Sequence, residues 1–234
     1  MITTTTTTRH YICHACGIEF IGTPVLWDNG RDLLPKRACQ DCVDARNDLR
    51  AQEQRDHDHQ EREREWPGIC PPLYRDTDLS RLPKSLSDAL ERWDGRYGLG
   101  FVGDAGKGKT RAAFEALRRQ HYRGKSCAAV TGPQLRRLLT DIYATEQAER
   151  SAARIRFRSL RTVRVLLLDD LGKQKFTESA QEDLFDLLET RVSHCLPIIW
   201  TTNNESKELV AKLASDQGGA ILRRLVEFSQ IVKV

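Results

Sequence analysis

The second half of the chain alternates between short apolar runs and amphipathic stretches. YGLGFVG is a compact apolar run that leads into a glycine-rich segment. TRAAFEALRRQHY follows, with Ala113 and Leu117 at helical spacing, and reads as a helix with one buried face. TVRVLLLDDL is apolar without alternation, the pattern of a strand buried on both faces of a parallel sheet. LPIIWTTNN repeats that pattern and ends in polar residues, ESKELVAKLA reads as the next helix, and FSQIVKV reads as a last strand. The texture from about residue 73 onward is therefore α/β, a parallel sheet flanked by helices.

The first part of the chain has no such pattern. VDARNDLRAQEQRDHDHQEREREW has helix-forming composition and mixed charge but almost no apolar stripe, which predicts a solvated helix or spacer. His57 and His59 sit among its carboxylates and read as part of that solvated face. WPGICPP follows, and Pro67, Pro71 and Pro72 predict the end of the helix and a domain boundary. The expected organisation is a floppy Thr-rich tail over 1–9, a small module over 10–45, a charged linker over 46–72 and the α/β domain over 73–234.

The glycine-rich segment is GDAGKGKT. It fits G-x-x-x-x-G-K-[ST], placed between a strand and a helix as a phosphate-binding P-loop requires. Gly103, Asp104, Ala105, Gly106, Lys107 and Gly108 would present backbone N–H groups to the phosphates of ATP. Lys109 would reach the β and γ phosphates and the Thr110 hydroxyl would bind Mg²⁺. At the end of the long apolar strand, Asp169 would hold Mg²⁺ and Asp170 would orient or activate the attacking water. Asn203, at the end of the next strand, is placed to sense the γ phosphate or to cap the helix after it.

Seven cysteines are present. Cys13 and Cys16 form one C-x-x-C knuckle, and Cys39 and Cys42 form another after 22 intervening residues. Two knuckles complete a closed, tetrahedral and hence structural Zn²⁺ site. Metal binding would supply on the order of 10 kcal/mol of folding energy to a segment too short to bury its own core. His10 and His14 are not needed as ligands. Cys127 and Cys195 lie beside apolar runs and read as buried thiols.

The motifs LLLDDLGKQKFTESAQEDLFDLLETRV, PIIWTTNN and ILRRL, with the approach CPPLYRDTDLSRLP, resemble the DnaC/IstB family of AAA+ ATPases over residues 71–234. The resemblance implies a P-loop AAA+ (ASCE) fold. Its members are bacterial and phage helicase loaders and the helper ATPases of transposition. It also implies rings or spirals in which an arginine of one subunit reaches the γ phosphate of the next. The matching position is Arg224, beside Arg223. No C-terminal helical lid follows FSQIVKV, which fits the loader branch and implies weak or partner-stimulated turnover. The zinc module is not a fixed part of that family.

Charge adds one more candidate. The net charge is only +4, so the whole chain does not announce nucleic-acid binding. The stretch between the second strand and the Asp-Asp strand, however, holds Arg136, Arg137, Arg150, Arg154, Arg156, Arg158, Arg161 and Arg164. Arg154, Arg158 and Arg161 share a helical face that can track a phosphate backbone. In the resembling family this region lines a channel for single-stranded DNA. Tyr143 and Phe157 could stack on bases, but core packing is the expectation for both. The absence of an apolar signal segment and of a long apolar span predicts a cytoplasmic protein with no membrane contact. The combined expectation is an oligomeric loader that delivers a hexameric replicative helicase to single-stranded DNA. The alternatives are a transposition helper assembling on duplex DNA, and a zinc adaptor whose ATP site acts only as a clamp.

Overall fold

The computed structural model describes residues 8–23, 38–172, 176–203 and 218–234, in two compact units, Met1–Glu61 and Arg62–Val234. In the first unit, β1 (Arg9–Ile12) pairs antiparallel with β2 (Glu19–Gly22). Residues 1–7 of the expected tail lie outside the described residues, and Arg9 already belongs to β1. Helix α1 (Gln40–Ile69) starts directly after Cys39. Trp66 is the only buried residue along it, in keeping with its missing apolar stripe.

Pro67 does not stop α1, contrary to the expectation from WPGICPP. The helix is near its end there, so only one ladder bond is lost. The Cys70 N–H still reaches the Trp66 carbonyl at 2.9 Å. Arg75 donates to the carbonyls of Pro67 and Cys70, both at 3.0 Å, replacing helical partners that the terminal turn lacks. Helix α2 (Pro72–Arg75) then restarts with proline in its first turn, and a 3-10 turn follows at Leu79–Arg81.

The second unit continues with α3 (Lys84–Arg92), β3 (Gly98–Val102), α4 (Lys109–Tyr122), β4 (Cys127–Thr131) and α5 (Gly132–Asp141). Then come α6 (Gln147–Thr162), β5 (Val165–Leu171), α7 (Glu178–Ser193), β6 (Ile198–Thr202), α8 (Gly218–Glu227) and β7 (Ser229–Lys233). The five strands are parallel, in the order β4-β5-β6-β3-β7. β6 thus lies between the strand that feeds the P-loop and the strand that ends in Asp-Asp.

Both faces of the sheet are covered, as the unbroken apolar runs require. Val165, Leu167, Leu99, Phe101 and Ile199 pack with α3 and α4 on one side. Leu166, Leu168, Ile198 and Trp200 pack with α5, α7 and α8 on the other. Ala112, Ala113 and Ala116 are fully buried and let α4 lie close to the strands. The last turns of α1 lock onto the far end of α4. Arg62 Nη1 donates to the His121 carbonyl, His121 Nε2 donates to the Arg62 carbonyl, and Trp66 stacks on the His121 ring.

Arg191 is a buried cation that the sequence pattern did not single out. Its guanidinium donates to the carbonyls of Leu160, Val163 and Pro197 at 2.7–2.9 Å. Burial pulls it down from the usual arginine range to about 10. The side chain ties the end of α6 to the starts of β5 and β6.

Candidate functional site

The residues expected to bind nucleotide collect at the C-terminal ends of β3, β5 and β6, where ligands sit in parallel α/β sheets. The loop from Gly103 to Gly108 turns on glycines that adopt left-handed backbone, with φ of +79° at Gly106 and +86° at Gly108. Gly103 also has positive φ, and a Cβ there would collide with the Val234 carbonyl. Asp104, Ala105, Gly106 and Lys107 are exposed along the loop. Helix α4 begins right after Gly108, so its first N–H groups point into the loop as an anion site. Lys109 is 5% exposed, and its ammonium donates to the carbonyls of Gly103 and Asp104, spanning the cradle.

The Thr110 hydroxyl donates to Asp169 Oδ1 at 3.0 Å. These are two hard oxygen groups at the mouth of the loop, and they suit Mg²⁺. Asp169 Oδ1 also accepts from the Thr201 hydroxyl at 2.7 Å. Asp170 stands beside it with φ of +61°, and the Asn203 amide reaches its Oδ1 at 3.5 Å. The strand order therefore brings together Lys109, Thr110, Asp169, Asp170 and Asn203. Asn204 and the helix that Asn203 was alternatively read to cap lie outside the described residues.

A cavity of about 680 Å³ opens beside the loop, the size of a small-molecule pocket. Gly106, Lys107 and Arg111 form one wall, and Leu73, Asp78, Arg81 and Leu82 form the other. Arg111 ties the walls together by donating to the Leu73 carbonyl at 3.0 Å, with its guanidinium over the Tyr74 ring. The role of residues 72–82 as a wall could not be read from the P-loop pattern, since the contact spans more than twenty residues of sequence.

Arg224 lies elsewhere. It lines a small apolar cavity with Gly98, Pro197 and Ile198, at the N-terminal ends of β3 and β6. Its Nε donates to Glu189 at 2.7 Å, and Glu227 is a second partner.

The arginine-rich segment forms the end of α5, a connection and α6. Arg136, Arg137, Arg154, Arg156, Arg158 and Arg164 are exposed. Arg161 departs from the shared stripe, because it is half-buried and pairs with Asp186 at 3.1 Å and Thr190 at 2.8 Å. Arg150 closes its own connection, donating to the carbonyls of Ala144 and Thr145. Phe157 packs against the core as expected, whereas Tyr143 is 59% exposed. A hydrogen bond to the Asp183 carboxylate raises the Tyr143 phenol above its ordinary range.

In the first unit, the turn between β1 and β2 carries Cys13 and Cys16, Cys39 immediately precedes α1, and Cys42 lies in its first turn. The Sγ atoms of all four lie within 4.8 Å of one another. Zn–S bonds of about 2.3 Å in a tetrahedron imply S–S separations of about 3.8 Å. Cys16 and Cys39 are 3.7 Å apart, so the donor set fits zinc. Backbone N–H groups, first that of Cys39 and then that of Cys16, hold the Cys13 thiol down at about 6. Contact with the other thiols, Cys16 first, pushes Cys42 up to about 12. His14 is exposed, and His10 is exposed and bonded to Glu19. Among the remaining cysteines Cys70 is buried, and burial pushes the Cys127 thiol up to about 12. Cys195, expected to be buried, is exposed at the turn that ends α7.

The family model for IstB-like ATP binding protein matches residues 89–234. Among solved structures, DnaI superposes with a TM-score of 0.57 at 19% identity, covering 73% of this chain and 96% of that one. The DnaC helicase loader superposes with a TM-score of 0.55 at 19% identity, covering 70% and 99%. The replication initiator DnaA bound to AMPPCP and single-stranded DNA gives 0.54 at 18% identity, covering 70% and 50%. The chain spans half the length of the DnaA chains it resembles. No curated protein matches the sequence. These likenesses establish a parallel, helix-flanked P-loop sheet of AAA+ type.

Proposed function

We propose that this chain, which belongs to the family of IstB-like ATP binding proteins, is an ATP hydrolase that loads a replicative helicase onto single-stranded DNA. The observation that carries the hydrolase reading is the convergence of Lys109, Thr110, Asp169, Asp170 and Asn203 at one edge of the sheet. The loop N–H groups and Lys109 bind and orient the triphosphate. Thr110 and Asp169 would hold Mg²⁺, which supplies Lewis-acid charge at the phosphoryl oxygens when bound. Asp170 accepts from Asn203 and is the carboxylate left to align the attacking water. Arg224 cannot serve its own nucleotide from the opposite end of β3, so it completes the site of a neighbouring subunit. Turnover is therefore low until subunits assemble.

The DNA reading is supported by the exposed Arg154, Arg156 and Arg158 on α6. The four-cysteine module binds Zn²⁺ as a structural ion and docks the partner. Delivery of a hexameric helicase in the cytoplasm is what the sequence resemblance implies. The family match favours a second reading, a transposition helper that assembles on duplex DNA with the same motor.

The experiment is native mass measurement of the protein mixed with the replicative helicase of its host and ATP. A complex of defined stoichiometry supports the loader. Assembly on duplex DNA without a helicase complex supports the transposition helper instead.

A further inference from the structure

β5 and β6 are in register at Leu168 opposite Trp200, and again at Leu171 opposite Thr202. Three steps on β5 thus face two on β6, so β5 carries one extra residue in a β-bulge. The packing shows the same shift. Leu166 and Leu168 face the α5–α7 layer, and so does Leu171, an odd number of steps later. Without the bulge, Asp169 and Asp170 would point to opposite faces, since strand side chains alternate. With it, both acids serve the nucleotide edge.

One side chain of the neighbouring strand bridges the two acids at the bulge. Thr201 accepts a hydrogen bond from the Asp170 N–H at 2.8 Å and donates to Asp169 Oδ1 at 2.7 Å. The direction of each bond is fixed by chemistry: an amide N–H only donates and a carboxylate only accepts, so the single hydroxyl proton must go to Asp169. Thr201 is 2% exposed and β-branched, which restricts its rotamer. Asp170 adopts a left-handed backbone that non-glycine residues seldom keep unless their surroundings impose it.

We infer that Thr201 is a positioning residue for ATP hydrolysis, which rests on reading the chain as an ATPase. Its hydroxyl fixes Asp169 toward the metal position and ties the Asp170 backbone into the bulge, so a single group couples the placement of the two acids. In this role it acts through Asp169 and Asp170 rather than on substrate or metal.

The test compares Thr201→Val, which keeps the shape and removes the hydroxyl, with Thr201→Ser, which keeps the hydroxyl. Full-length protein is assayed for ATP turnover and, separately, for ATP binding across a Mg²⁺ titration. Thr201→Val should lower kcat roughly 10- to 100-fold, as loss of an outer-shell partner does, and raise the Mg²⁺ needed for tight ATP binding. Its ATP affinity at saturating Mg²⁺ should stay within about 3-fold of the parent, because the loop contacts remain. Thr201→Ser should restore both readouts. Parent-like kcat and Mg²⁺ dependence in Thr201→Val would overturn the inference, as would equal impairment of both variants. If the parent shows no turnover with any DNA or partner, the hydrolase reading fails, and the Mg²⁺ titration still decides the role of Thr201. Should Thr201→Val not fold, Thr201→Ala is read in its place.

Discussion

Arg224 and Glu189 form an ion pair at 2.7 Å between α8 and α7, at the end of the sheet away from the P-loop. β3 alone puts about 16 Å between those ends, at roughly 3.3 Å per residue. Arg224→Ala should therefore leave ATP binding intact and reduce turnover of the assembled protein by about 10³-fold, the low end for loss of an arginine finger. Mixing it with Lys109→Ala, which carries an intact Arg224, should restore part of the activity, read as turnover against mixing ratio. Failure to complement would place the role of Arg224 within its own subunit.

Lys109→Ala should weaken ATP binding by at least about 100-fold, measured by titration calorimetry. The ammonium also spans the carbonyls of Gly103 and Asp104, so its loss both removes charge and loosens the cradle. Asp170→Asn should behave differently, with binding retained and turnover falling by roughly 10²- to 10⁴-fold, the range for loss of a general base.

The arginines of α6 should separate by what they already hold. Arg154→Ala together with Arg158→Ala should reduce the salt dependence of single-stranded DNA binding by about 1.4 in log–log slope, at about 0.7 per phosphate contact. Arg161→Ala should leave that slope unchanged and lower the thermal midpoint instead, since Arg161 is engaged with Asp186 and Thr190. Binding isotherms at several salt concentrations check the first expectation, and calorimetric melting checks the second.

One Zn²⁺ per chain is expected by elemental analysis. Cys39→Ser should cost most of the bound metal and unfold residues 9–23 and 38–45, seen as faster hydrogen exchange there. ATP affinity should be unchanged, because none of the four cysteines belongs to the unit Arg62–Val234.

The sequence disclosed whatever rests on local pattern. GDAGKGKT needs a strand before it and a helix after it, and β3 and α4 supply both. VLLL is apolar on both faces because both faces are covered. Two knuckles 22 residues apart close on one point. What stayed hidden depends on partners far along the chain. Nothing local marks Arg161 as engaged while Arg158 is exposed, because Asp186 arrives from α7. Pro67 stays within a helix because it falls in the last turn, whose carbonyls Arg75 then caps from further along the chain. Thr201 looked like one polar residue among several, and its significance comes from a register shift that a period-two pattern cannot reveal.

β6 has only five residues, and it is wedged between β3 and β5. One end leads to Asn203, against the Asp170 carboxylate. The other begins beside Pro197, in the wall of the cavity that Arg224 shares. In the proposed head-to-tail assembly those ends would face two different nucleotides. If Arg224 serves a neighbouring subunit as proposed, this one short strand spans the distance between two consecutive sites, so a shift at one end is felt at the other.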